Sequence, residues 1–229
     1  MANAELGLVL NHLRRLARPG PSAEQSDAEL LEHFAARHEE EAFAAIVQRY
    51  GRLVLSVCRR VLRQEQDAED AFQATFLVLA RNAASIVRGA ALAGWLHGVA
   101  YHTACRLKRS VTRRRNHENQ ATPMTSTNPS GELALRELQA ILDEEVQRLP
   151  ENYRAPFVLC CLEGHSKAEA ARRLGCKDGT VSGRLARARA QLQKRLPRRG
   201  VSLSAALGAV ALAETPSQAA VPALLAATT

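Results

Sequence analysis

Residues 166–189, SKAEAARRLGCKDGTVSGRLARAR, carry the most regular pattern in the chain. Ser166 and Glu169 have the spacing of a capping box, which predicts that a helix begins at the residue after Ser166. Gly175 stands where a helix commonly ends in a left-handed residue, and Asp178 is suited to cap a second helix. The segment therefore predicts two short helices joined by a tight turn.

The second of these helices has one apolar side and one polar side. Its apolar residues fall at i, i+4, i+7 and i+11 and are Val181, Leu185, Ala188 and Leu192. The residues left facing outward are Thr180, Gly183, Arg184, Arg187 and Gln191. Residues 166–199 hold eleven Lys and Arg against two acids. A helix whose inner side packs on its neighbours and whose outer side is cationic is typical of helix–turn–helix proteins, which place that helix in the major groove of DNA.

The composition agrees with a helical, nucleic-acid-binding protein. Of the 229 residues, 46% are hydrophobic and only 4% aromatic, which favours cores built from Leu, Val and Ala. The net charge of +8 indicates a polyanionic partner. No segment alternates apolar and polar residues as a strand would. We therefore predict an all-α fold of two small helical domains joined by a flexible linker, the C-terminal one a helix–turn–helix.

Shifts in composition suggest the domain boundaries. Residues 110–131 have almost no apolar content and two prolines, which is typical of a flexible linker. Residues after 200 are rich in Ala and Leu and carry one charge, Glu214. The predicted division is an N-terminal extension at 1–25, a first domain at 26–109, the linker at 110–131, a second domain at 132–199 and a low-complexity tail at 200–229.

Helix-start signals and periodicity place the remaining helices. Ser26 with Glu29 predicts one start, and Asp67 is predicted to cap another helix. Apolar spacing predicts a long helix over 41–63 and a further helix from Trp95 to about Arg109. Other helices are predicted over 1–20, 132–149 and 151–163, the last with a kink at Pro156.

Two polar surfaces stand out in the first domain. The helix after Asp67 leaves an acidic and polar ridge of Glu69, Asp70 and Gln73 facing out. The helix after Trp95 carries a basic ridge with an aromatic ring, made of Tyr101, His102, Arg106, Lys108 and Arg109. Cations neutralise phosphates and a flat ring stacks on bases, so this second ridge suits a single strand of DNA.

No residue pattern requires a metal, a cofactor or an oxidising compartment. The five cysteines are odd in number and lack framework spacing, which favours a reduced, cytoplasmic setting. The spacing of His97, His102 and Cys105 matches no common zinc pattern. The N-terminus lacks a signal-peptide pattern, and the apolar tail is interrupted at Glu214 and by prolines, so we expect neither secretion nor a membrane span.

The order of the motifs resembles a known family. The runs DAEDAFQATFLVLARN, GWLHGVAYHTACRLKR and LPENYRAPFVLCCLEGHSKAEAARRLGCKDGTVSGRLARAR resemble the extracytoplasmic-function (ECF) group of bacterial RNA polymerase sigma factors, in the sigma-70 family. The resemblance covers roughly residues 26–197. The sequence of the segment ELLEHFAARHEEEAFAAIVQRYGRLVLSVCRRVL is similar to the corresponding segment of planctomycete members of this group.

The resemblance implies a division of labour among three helices. The helix after Asp67 would dock on the clamp helices of the largest subunit of core polymerase through Glu69, Asp70 and Gln73. The second would read and open the minus-ten promoter element through Tyr101, His102, Arg106, Lys108 and Arg109, with His102 where many members carry Asn. The third would read the upstream, minus-thirty-five element through Lys177, Thr180, Ser182, Gly183, Arg184 and Arg187. Ser182 and Gly183 depart from the commoner pair of a basic residue followed by Ser.

The resemblance also implies partners and a non-enzymatic role. Core polymerase, including its flap, and promoter DNA are the expected partners, and an anti-sigma factor is a further one. The tail after residue 200 is expected to be dispensable for basal initiation. A stand-alone helix–turn–helix regulator is the alternative, although it leaves the first domain unexplained. A nuclease using His97, His102 and carboxylates is a weaker rival, since no nucleophile–base pair accompanies them.

Overall fold

The described residues form a succession of helices. The computed structural model describes residues 25–62, 64–86, 92–118 and 130–214, and within these ranges it contains helices and no strand, which confirms the all-α prediction. The first domain comprises α1 (Asp27–Arg37), α2 (Glu40–Val61), α3 (Glu65–Ile86) and α4 (Leu92–Glu118). The second comprises α5 (Ser130–Gln147), α6 (Glu151–Phe157), a π-helical turn (Val158–Leu162), α7 (Lys167–Arg173), α8 (Asp178–Arg195), a 3₁₀ turn (Leu196–Arg199) and α9 (Leu203–Glu214).

The first domain begins at the predicted capping box. The Ser26 hydroxyl accepts from the Glu29 backbone N–H at 3.3 Å, and the Ser26 N–H donates to the Glu29 carboxylate at 2.7 Å. Asp27 is buried beside this cap, where Arg49 donates to it at 2.7 Å and the Tyr50 hydroxyl also donates to it. These contacts tie the start of α1 to the middle of α2.

The long helix α2 forms the centre of the first domain, as its periodicity predicts. Its apolar face runs without interruption through Gly51, and it packs against α1, α3 and α4. On α3 the inward side is also the predicted one, consisting of Ala68, Ala71, Phe72, Thr75, Phe76, Leu79 and Ala83. Thr75 is tolerated there because its hydroxyl donates to the Ala71 carbonyl at 2.7 Å.

Several predicted boundaries differ from the structure. The helix α3 begins at Glu65, so Asp67 lies in its first turn instead of capping it. The helix α4 begins at Leu92, before Trp95, and continues to Glu118, well into the predicted linker. Residues 110–118 contain a single apolar side chain, Val111, and no helix-breaking proline, so the helix continues through them. Since α5 begins at Ser130, the linker is shorter than predicted at both ends.

The second domain is interrupted once, close to the predicted kink. Pro156 lies near the end of α6, and the chain then widens into the π-helical turn, where the Glu163 N–H donates to the Val158 carbonyl at 3.0 Å. Proline supplies no backbone N–H, so the regular hydrogen-bond ladder cannot be complete around it. The predicted helix over 151–163 is therefore present as two segments with different winding.

Part of the Ala- and Leu-rich tail is folded. Helix α9 packs along α5 and buries Ala206, Ala209 and Val210. The buried side chain of Gln139 donates to the Ala209 carbonyl at 2.6 Å. The Ala- and Leu-rich segment is thus folded from Leu203 to Glu214, because small apolar side chains permit close helix packing. None of the helices that the structure describes is both long and apolar enough to span a bilayer.

Three predicted features lie outside the described residues: the helix over 1–20, the middle of the loop before Trp95 and the middle of the linker. Among the described residues, one continuous apolar core runs through both domains, since α4 packs on α6 and α2 packs on α5. The two domains are therefore in direct contact.

Candidate nucleic-acid interfaces

The helix–turn–helix forms where the sequence predicts it. The Ser166 hydroxyl accepts from the Glu169 N–H at 3.1 Å and caps α7. Gly175 has a φ of 60°, a left-handed conformation that favours glycine, and it lets the chain turn into α8. The start of α8 differs from the prediction: Lys177 is the N-cap residue, without a side-chain cap hydrogen bond, and Asp178 is the first helical residue. Asp178 still lies where the helix dipole favours a negative charge.

Helix α8 is anchored by its apolar stripe. The four residues predicted to face inward, Val181, Leu185, Ala188 and Leu192, are all buried. They pack against α6 and α7, so the opposite side of α8 faces solvent. The stripe therefore fixes which side chains could enter a DNA groove.

The residues predicted to contact the upstream element lie on the solvent side. Lys177, Thr180, Gly183 and Arg187 are exposed, while Ser182 and Arg184 are half-buried. A Cβ placed on Gly183 would meet no atom within 4 Å, so packing does not require glycine there. Within the described part of the chain, neither Arg184 nor Arg187 forms an ion pair, and both cations are available to an anion.

Neighbouring arginines are engaged differently. In α7, Arg172 pairs with Glu169, and Arg173 donates to the same carboxylate at 2.9 Å. The guanidinium of Arg173 also lies 5.9 Å from the ring centre of Tyr50 in the first domain. Glu169 therefore compensates only part of the charge of α7, whose cations are Lys167, Arg172 and Arg173. Helix α8 carries the larger excess, five cations against Asp178.

The basic ridge of the first domain lies on α4. His102, Arg106, Lys108 and Arg109 are exposed along it. Tyr101 is half-buried, and its ring centre lies 5.8 Å from that of His102 in an edge-on arrangement. Burial raises the pKa of the Tyr101 hydroxyl, and Cys105 and the α5 carboxylate of Glu144 act in the same direction. The structure thus brings all five predicted residues onto one helix but turns Tyr101 towards the second domain.

The acidic ridge of α3 faces outward as predicted. Asp70 is exposed, whereas Glu69 and Gln73 are half-buried. The opposite side of α3 is committed to the core, so this ridge is the part of α3 that a protein partner could reach.

Sequence reasoning missed a buried polar network between the two domains. Arg60 of α2 donates to both carboxylate oxygens of Asp143 in α5, at 2.9 and 3.0 Å. Asp143 is fully buried and the side chain of Arg60 is 5% exposed. Although burial disfavours its charged form, the Arg60 guanidinium and His97 lower the pKa of Asp143 to about 2, so the carboxylate is ionised at neutral pH.

His97 of α4 completes this network. Its Nε2 lies 3.3 Å from Asp143 Oδ1, and the Gln147 side-chain amide donates to its Nδ1 at 2.7 Å. Burial lowers the pKa of His97 despite the nearby Asp143 carboxylate, so the ring is neutral at pH 7. Because His97 is buried and His102 is exposed, they do not face a common site, and no group of three metal-ligating side chains occurs among the described residues. The sequence signal for this network is a charged residue within an otherwise apolar helix face: Arg60 in α2 and Asp143 in α5.

The fold and its two cationic surfaces define a two-domain helical protein of the DNA-binding class. Comparison with known families identifies it further. Residues 46–114 match the model for sigma-70 region 2, and residues 139–192 match the model for sigma-70, region 4.

Two sequence relatives agree with this assignment. The chain is 35% identical over 179 residues to the ECF RNA polymerase sigma factor SigM of Mycobacterium tuberculosis, covering 77% of this chain and 88% of the relative. It is 28% identical to the RNA polymerase sigma-H factor of Pseudomonas aeruginosa, covering 76% and 95% respectively. The solved structure of CnrH in complex with the cytosolic domain of CnrY aligns with a TM-score of 0.36 at 24% identity, over 76% of this chain and 99% of that one.

The chain belongs to the ECF group of the sigma-70 family of RNA polymerase sigma factors. It is a sigma factor, which directs RNA polymerase to promoters.

Proposed function

We propose that the three solvent-facing surfaces of this sigma factor divide the work of initiation among them. The acidic ridge of α3 binds core polymerase, the basic ridge of α4 reads and opens the minus-ten element, and α8 reads the minus-thirty-five element. The proposal rests on three surfaces that lie on different helices. Two are cationic and suited to DNA, on α4 and α8, and the third is the acidic ridge on α3. The protein acts in the cytoplasm, without catalysis of its own, and an anti-sigma factor is a further partner.

The proposal is tested by run-off transcription with purified core polymerase on a pool of genomic fragments, followed by mapping of start sites. A set of shared upstream and minus-ten elements is the expected result. Sequence-specific binding by the free protein without any stimulated transcript would instead favour a stand-alone regulator.

We expect the double substitution Asp70→Arg/Gln73→Arg to weaken binding to core polymerase by at least tenfold. Both side chains lie on the outward side of α3, and reversing the charge of the ridge opposes a basic partner surface. Native pull-down and fluorescence titration against core enzyme measure the effect.

The matched control is Glu41→Arg/Gln48→Arg, which likewise replaces one acid and one glutamine by arginine, at exposed positions of α2. Circular dichroism verifies that both double variants are folded. Equal core binding by the two variants would remove the α3 ridge from the polymerase interface.

We expect Arg106→Ala and His102→Ala to impair promoter opening more than closed-complex formation. Both side chains are exposed on α4, on the ridge spaced to follow one backbone. Permanganate footprinting of unpaired thymines reports opening, and electrophoretic mobility shift reports binding. Wild-type thymine reactivity in both variants would argue against this assignment.

A further inference from the structure

The cationic side of α4 continues beyond the basic ridge that the sequence predicts. Because an α-helix turns about 100° per residue, Arg106, Arg109 and Arg113 lie within about 60° of one another around the helix axis. All three are exposed, and within the described part of the chain none of them forms an ion pair. Arg113 therefore adds an accessible cation one turn beyond Arg109, on the same side of the helix.

The part of α4 that carries Arg113, residues 110–118, is held against the first domain. Val111 is half-buried and lines a cleft together with Val61 and Leu62 at the end of α2. Val111 lies about 160° around the helix from Arg113, so a helix that turns Val111 inward turns Arg113 outward. The direction in which Arg113 points is thus fixed by the fold of the first domain.

The chemistry of α4 changes along its length. Its earlier part places His102 beside the Tyr101 ring, with ring centres 5.8 Å apart. Residues 110–118 contain no Phe, Tyr or Trp, whereas residues 106–115 hold six Lys and Arg and no acid. Aromatic rings serve to stack the bases of an unpaired strand, while a duplex keeps its bases stacked and offers its phosphates to cations. Residues 110–118 therefore suit the backbone of a duplex.

The spacing of the cations agrees with such a backbone. Arg106 and Arg113 are seven residues apart, which is about 10 Å along the helix axis. Phosphates of one strand of B-DNA follow one another every 3.4 Å or so along the DNA axis, so this distance corresponds to about three base pairs. One continuous helix can therefore reach from the minus-ten element into the DNA beside it.

We propose that Arg113, on the continuation of α4, binds a backbone phosphate of the duplex that adjoins the minus-ten element on the side of the minus-thirty-five element. The DNA on the other side of the minus-ten element is unpaired in an opened promoter, so the spacer between the two elements is the duplex within reach. The assignment of α4 to the minus-ten element rests on the proposed function. The contact positions α4 on DNA without reading bases.

Arg113→Ala tests the contact in the holoenzyme formed with core polymerase, on a mapped promoter. Loss of one phosphate contact should reduce the slope of log affinity against log salt by about 0.9. The affinity deficit should accordingly be about threefold larger at about 50 mM than at about 200 mM salt. The matched control is Arg136→Ala, which removes an exposed arginine from α5. Equal affinity and equal salt dependence in the two variants would overturn the proposal.

Arg113→Lys separates a phosphate contact from base readout. An ammonium serves a phosphate as a point charge, whereas two hydrogen bonds to a guanine edge depend on the shape of the guanidinium. We expect the lysine variant to recover most of the affinity that Arg113→Ala loses, with unchanged base preference in the spacer. A lysine variant as weak as Arg113→Ala would overturn the assignment to a phosphate.

Neutral methylphosphonates, introduced one at a time, locate the phosphate. We expect a methylphosphonate at one or two spacer positions to weaken binding of the wild-type holoenzyme about threefold, and to have little effect on the Arg113→Ala holoenzyme at the same positions. Coupling to a phosphate of the unpaired strand instead would overturn the assignment to the duplex. Additive losses at every position would overturn the contact itself.

A proline substitution tests whether the helix must continue to Arg113. Thr112→Pro keeps every cation but interrupts the helix just before Arg113. The control Thr112→Ala removes only the hydroxyl, which donates to the Lys108 carbonyl at 2.8 Å. We expect Thr112→Pro to bind as weakly as Arg113→Ala, and Thr112→Ala to bind like the wild type, with circular dichroism verifying the fold. Equal binding by the two Thr112 variants would overturn the role of the continued helix.

Failure of this inference is distinguishable from failure of the proposed function. Wild-type protein that supports no promoter-specific transcript would overturn the proposed function. Promoter-specific transcription by the wild type, together with an Arg113→Ala holoenzyme that matches the Arg136→Ala control, would overturn only the duplex contact.

Discussion

Replacing Asp143 by alanine should lower the free energy of unfolding by about 3–5 kcal/mol. The substitution leaves the Arg60 guanidinium, 5% exposed, without the carboxylate that accepts two of its hydrogen bonds. It also removes the acid that faces His97 Nε2. Urea unfolding followed by circular dichroism measures the loss. We further expect a lower m-value, because domains that no longer dock expose less new surface on unfolding.

A double-mutant cycle separates the ion pair from ordinary packing at this position. Arg60→Leu alone should be destabilising, because it leaves the buried Asp143 carboxylate without its main partner. The double variant Arg60→Leu/Asp143→Leu should recover most of the loss, because apolar replacement of both ions of a buried pair is often neutral. Strictly additive losses in the double variant would show that the two residues act independently.

The individual helices could be predicted from the sequence because their signals are local. Ser26 and Ser166 cap helices through contacts to residues three positions away, and the stripe from Val181 to Leu192 is buried as its spacing predicts. Helix ends were less predictable. A polar stretch such as 110–118 is compatible with either a solvated helix or a coil, and composition alone does not choose between them.

The contact between the domains could not be predicted, since it depends on residues far apart in the chain. Arg60 and Asp143 are 83 positions apart, and each alone appears as an isolated charge in an apolar face. In the sequence alone, Gly94 and Gly98 are only residues of low helix propensity. The structure shows that Ala155 and Arg154 lie against them. The same applies to α9, which is only a hydrophobic tail until Gln139 is seen to donate to Ala209.

The outward surfaces were predictable for a different reason. Once the buried stripe of an amphipathic helix is known, the remaining side chains face solvent by geometry. Asp70, Arg106 and Arg187 are exposed as predicted. Tyr101 is half-buried, because its exposure depends on the docked domain and not on α4 alone.

We expect Arg187→Ala to relax base preference at one position of the minus-thirty-five element and to cost about 1–3 kcal/mol of promoter binding. Arg187 is exposed near the middle of α8, opposite the buried Ala188 stripe, and forms no ion pair in the described part of the chain. A guanidinium there has the length and the donor geometry to bind a guanine edge through two hydrogen bonds. Selection of promoter variants by polymerase carrying the substituted factor measures the preference.

Arg184→Ala should behave differently and thereby serve as an internal comparison. Arg184 is half-buried and one turn nearer the helix start, a position suited to the phosphate backbone. Its loss should weaken binding evenly across promoter variants and reduce the salt dependence of binding by about one phosphate contact. Arg136→Ala on α5 removes an exposed arginine outside the recognition helix and controls for net charge. If Arg187→Ala and Arg184→Ala both keep the upstream preference and affinity of the Arg136→Ala control, then the side of α8 opposite Val181 and Leu185 is not the one that enters the groove.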